Sequence, residues 1–89
     1  MALVPTRAAA NELAEVGGDL WLVRDVLERG YDCASRDRKR GELEKCFRRK
    51  DGLYKVVVAK SHSRLLREDV WVIVHVARFG GERRRSVKR

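Results

Sequence analysis

The chain has 89 residues, 44% of them hydrophobic. That is enough for one domain with a thin core, since a chain of this size buries only about 60 to 65% of the surface it exposes unfolded. No run of about 18 apolar residues is present, which excludes a helix spanning a bilayer. The formal charge of +8 is unevenly placed: residues 1–32 carry three basic and six acidic side chains, residues 33–89 eighteen and seven, for nets of −3 and +11.

Taken in chain order, the stretch from Met1 to Ala10 lacks a long apolar core and a cleavage site, so it reads as mature protein with the cytoplasm as its default compartment. Pro5 suits the first turn of a helix, and Ala8, Ala9, Ala10, Leu13, Ala14 and Val16 continue it to Gly17 and Gly18. Asp19 is a natural N-cap for a second helix, whose Leu20, Val23, Val26 and Leu27 form a stripe at helical spacing and which Gly30 stops. Trp21 falls off that stripe, as a cover over the core edge or an exposed contact residue. Residues Cys33 to Gly41, with the charge run Arg36 to Arg40, read as a loop. Glu42 to Arg49 is a first strand. The Asp51-Gly52 turn joins it to a second, Leu53 to Lys60, and a polar loop over Ser61 to Glu68 leads to a third, Val70 to Phe79. The last is apolar on both faces, so its second face needs cover from a partner chain, the tail or stacked bases; a homodimer through the open sheet face and a ligand groove are both open. Residues 80–89, with Arg83, Arg84 and Arg85, read as a flexible basic tail.

The expected fold is therefore α+β: residues 1–79 form one two-layer domain, with two N-terminal helices packed on a three-stranded antiparallel sheet. Cys33 and Cys46 are too few for a paired-Cys zinc site, so no metal is expected; free thiols are the expectation in an ordinary cytoplasm, and a bridge contributing about 3 kcal/mol is the alternative. The absence of Gln, the single Asn and the fifteen Arg against six Lys match the pattern of hyperthermophile proteins, in which part of the Arg surplus serves surface ion pairs.

A surplus of +11 on one part of the chain points to a polyanionic partner, nucleic acid being the commonest and RNA expected ahead of DNA. The helix ending Val26-Leu27-Glu28-Arg29-Gly30, the strand Tyr54-Lys55-Val56-Val57-Val58 and the strand Val72-Ile73-Val74-His75-Val76 together resemble, over residues 10–79, the small RelE/BrnT-type toxin domains and related archaeal domains. The resemblance implies metal-independent RNA cleavage on the sheet face, held in check by an antitoxin-like protein. Such cleavage needs a base, an acid and cations, which His, Lys, Arg and Tyr, Tyr54 among them, must supply when no metal does. The candidate catalytic residues are His75, Lys55 and His62; the candidate phosphate ligands are Arg48, Arg49, Lys60, Arg64, Arg78, Arg83, Arg84 and Arg85. His75 shares the parity of Trp71 and Ile73, so a core histidine is its plainer reading, and His62 in its Ser-His-Ser setting reads equally as an ordinary loop residue. Gly-rich phosphate loops, nucleophile elbows and paired carboxylates for metal-dependent chemistry are absent, so no cofactor is expected. The alternative to an endoribonuclease is a non-catalytic RNA- or DNA-binding module.

Overall fold

The computed structural model describes residues 2–33 and 41–80. Along the chain run β1 (Ala2–Pro5), α1 (Arg7–Glu15), α2 (Leu20–Arg29), β2 (Tyr31–Asp32), β3 (Glu42–Arg49), β4 (Gly52–Ser63) and β5 (Glu68–Phe79). The strands form one sheet in the order β1-β5-β4-β3-β2. β1 lies parallel to β5 and every other pairing is antiparallel. The α+β class with helices on the sheet is as expected. The sheet itself is not: it is five-stranded and mixed rather than three-stranded and antiparallel, because two short strands extend both edges.

β1 corrects the reading of Pro5. Pro5 pairs with Ile73 at the end of an edge strand, where a missing N–H is tolerated, and the helix starts two residues later, at Arg7. Thr6 caps it, accepting from the Ala9 N–H at 3.0 Å. Asp19 caps α2 as expected, its Oδ1 taking the N–H groups of Trp21 and Leu22 at 3.1 Å each; caps of this kind contribute about 1 kcal/mol. Gly30 ends α2 as expected, without a left-handed cap. Its backbone is extended (φ −77°), and a Cβ there would lie 2.4 Å from the carbonyl oxygens of both Val26 and Cys46. Only glycine lets the chain pass so close to β3 as it becomes β2.

Residues paired across antiparallel strands share a face, which sorts the sheet. Tyr54, Val56 and Val58 of β4, with Val76 and Ile73 of β5, meet Ala9 and Leu13 of α1 and Leu22, Val23 and Val26 of α2 in one buried cluster. The opposite face carries Glu44, Cys46 and Val57, all buried, together with Lys55. The Asp51-Gly52 turn joins β3 to β4 as expected. β4 and β5 run further than expected, to Ser63 and from Glu68. Trp21 is exposed, at 71%.

A bulge interrupts the β4–β5 ladder: Val57 pairs with His75 but Val58 with Ile73. The extra residue, Val74, breaks the alternation, so His75 does not share the side of Ile73. Ile73 is fully buried, whereas the His75 side chain is 44% exposed. The core-histidine reading of His75 fails for that reason. The free-thiol expectation fails as well, since Cys33 and Cys46 form a disulfide that ties β2 to β3.

Candidate nucleic-acid interface

The turn between β3 and β4 gathers cationic side chains that lie far apart in sequence. Arg48 and Arg49 close β3, paired with Leu53 and Gly52, and Lys50 follows on the exposed turn. Arg78 arrives from β5, paired with Tyr54. Arg49 lies over the Tyr54 ring, its guanidinium carbon 5.7 Å from the centroid. Tyr54, itself buried, donates its hydroxyl to Asp51 Oδ2 at 2.6 Å, and Arg78 Nη1 stands 3.5 Å from the same oxygen. The bond from Tyr54 is the main cause holding the Asp51 carboxyl below its ordinary range, so Asp51 stays ionised. Burial first, and then the Asp51 bond, raise the Tyr54 phenol, which keeps its proton as a donor.

Between this turn and the α1–α2 junction opens a cleft of about 280 Å³, lined by Gly17, Gly18, Asp19, Arg49, Asp51 and Tyr54 among others. The local sequence explains it. Gly17 takes φ +70°, and a Cβ on Gly18 would come within 2.5 Å of the Leu22 side chain, so the two glycines turn the chain in little space and leave room in front of Tyr54.

The remaining candidates do not join this cluster. Lys60 and His62 lie toward the other end of β4, where both face Asp69, at 3.9 Å and 3.1 Å, and Arg64 sits on the β4–β5 hairpin tip. Tyr54 and His62 are eight residues apart on one strand, or about 26 Å. His75 lies between the two ends: its Nδ1 is 3.0 Å from the Glu12 carboxylate, whose Oε1 also accepts the Val76 N–H at 2.8 Å. Glu12 thus holds the imidazole and satisfies an amide of β5 beyond the reach of β1. Lys55 is 3.1 Å from Glu44 and 5.6 Å from the Phe79 ring. Arg83, Arg84, Arg85 and the run Arg36 to Arg40 lie outside the described residues.

The structure therefore brings Arg49 and Arg78 together around Asp51 on the helix side of the sheet, leaves Arg48 at the same end on the opposite face with Glu44 and Cys46, and separates His62 from His75 and Lys55. His62 and Asp69 pair across the ladder, and Asp69 precedes His75 by six residues, so a His–His acid–base pair would have to bridge about 20 Å. Sequence reasoning offered Tyr54 for the chemistry and missed Glu12 and Asp51 as parts of a site. The Asp-Gly turn and the Gly-Gly-Asp junction were visible, but nothing in the sequence indicated that they face each other. In comparisons with protein families, curated proteins and solved structures, the chain matches none.

Proposed function

We propose that the protein binds RNA through its phosphates, with Arg48, Arg49 and Arg78 at the turn end of the sheet as the principal ligands. The observation carrying this reading is the gathering of cations at this end of the sheet, with Arg49 and Arg78 beside the open cleft and Arg48 on the opposite face. Arg49 and Arg78 flank Asp51 there, with Lys50 on the exposed turn beside them; at the other end Lys60 and His62 face Asp69. Arginine suits the role because its planar guanidinium bonds phosphate oxygens in pairs. The disulfide fits an oxidising compartment or the cytoplasm of a hyperthermophile, and the amide-poor, Arg-rich composition favours the latter.

The test is anisotropy of a labelled single-stranded RNA, titrated with three forms of the protein. Arg48→Gln/Arg49→Gln/Arg78→Gln is expected to weaken binding at least tenfold, and Lys60→Gln/Arg64→Gln to change it less than threefold. The reverse order would place the interface at the hairpin end.

A second reading, metal-independent RNA cleavage by a toxin-type nuclease under an antitoxin-like partner, is favoured by one observation. Glu12 fixes Nδ1 of a half-exposed His75, leaving Nε2 to move a proton. In this reading His75→Gln lowers the rate of RNA cleavage in EDTA by about 10² to 10⁴ with RNA affinity and melting temperature little changed. An unchanged rate, or no cleavage by the wild type, leaves the binding module alone.

A further inference from the structure

We infer that the cleft between the α1–α2 junction and the Asp51 turn is a base pocket that selects guanine in single-stranded RNA. This rests on the RNA-binding reading above and names what the site would distinguish.

Phosphate binding leaves the carboxylates of the cleft without a role. Phosphates repel Asp, yet Asp19 and Asp51 both line the cleft, next to the arginines that would hold the backbone. Their partners in the fold use part of the acceptor capacity, the Asp51 amide among them at Asp51. The α2 amides sit on Oδ1 of Asp19, and Tyr54 and Arg78 sit on Oδ2 of Asp51. A carboxylate accepts at about four positions, so both retain acceptor capacity toward a ligand. Asp51 is held ionised and therefore accepts without donating.

Such a pocket wants a ligand edge with adjacent N–H donors. Among the bases only guanine offers one, at N1–H and the N2 amino group. Adenine and cytosine each put an acceptor beside their amino group, and uracil flanks its single N–H with two carbonyls. A carboxylate therefore attracts the guanine edge and repels part of every other. A cationic ligand would also bring donors, but it would meet Arg49 in the same cleft. For a neutral base, Arg49 is favourable instead: its guanidinium, already laid over Tyr54, offers a plane on which an unstacked base can rest. Val16 and Leu22 supply the apolar part of the lining. A splayed base read on its Watson–Crick edge, with its phosphates held outside, is the usual mode of single-strand RNA recognition.

The test uses two labelled hexanucleotides, U6 and the same strand with one guanosine at the third position, at low salt in EDTA. The wild type is expected to prefer the guanosine strand by roughly tenfold or more, the discrimination of one good bidentate contact. In Asp51→Asn the preference is expected to fall to near one, because the amide puts a donor against a donor. An independent readout on the wild type guards against a misfolded variant: in ¹⁵N-labelled protein, the Gly17 and Gly18 amide resonances should shift with the guanosine strand and stay in place with U6. Equal binding of the two strands overturns the pocket and leaves phosphate binding standing. A preference that survives Asp51→Asn with unmoved glycine amides removes the pocket from this cleft. Binding of neither strand overturns the pocket together with the reading beneath it.

Discussion

Reducing the Cys33–Cys46 disulfide, or replacing both cysteines with serine, is expected to destabilise the protein by about 3 kcal/mol. The two cysteines are 13 residues apart, and closing a loop of that length removes about 10 cal/mol/K of entropy from the unfolded chain. For a domain of this size, 3 kcal/mol corresponds to a fall in Tm of about 12 to 24 °C. The native side adds to the case. β2 is only two residues long and pairs with β3 at Cys46 and Lys45 alone, so the disulfide is the main covalent hold on that edge. Thermal unfolding followed by circular dichroism with and without dithiothreitol makes the comparison. Equal melting temperatures would mean that the edge holds itself and that the bridge contributes nothing in solution.

The second large effect lies on the sheet face away from the helices. Glu44 is 3% exposed and Lys55 stands 3.1 Å from it. A carboxylate taken out of water depends on such partners, and removing Lys55 takes away one of the charges that compensate it. Lys55→Met is therefore expected to cost about 3 kcal/mol, near the lower end for a broken buried pair because Lys55 is itself partly exposed. Glu44→Leu/Lys55→Met, which removes both charges, should recover most of that loss. Urea denaturation of the two variants reads the difference directly. If Lys55→Met keeps wild-type stability, the pair is not structural and Lys55 returns to the candidates for chemistry. The same measurement protects any functional assay, since an inactive Lys55 variant that is also unstable says nothing about catalysis.

These features differ in how far the sequence revealed them. α2, β3, β4 and β5 were legible because each is long enough for periodicity to register and is marked by Asp19 or by the Asp51-Gly52 turn. β1 and β2, at four and two residues, are too short to show a period, and Pro5 looks alike at a helix start and at the end of an edge strand. The bulge at Val74 was hidden because Val72 and Ile73 precede it and Val76 follows closely, so a shift of parity leaves the apolar pattern unchanged; that one residue misassigned His75. The disulfide needed a fold to bring Cys33 beside Cys46. The cleft was invisible for a similar reason. Asp19, Arg49, Asp51 and Tyr54 are each ordinary where they stand, and only the packing of α2 against β3 and β4 sets them around one space.

If the arginines at the turn end hold RNA by its phosphates, binding must weaken with salt in proportion to the contacts they make. Each phosphate neutralised on a single strand contributes about −0.7 to the slope of log affinity against log salt concentration. Wild-type protein should show a steep negative slope, and Arg48→Gln/Arg49→Gln/Arg78→Gln a slope shallower by about 2, the share of three lost phosphate contacts. A wild-type slope near zero, or one that the triple substitution leaves unchanged, would contradict the assignment.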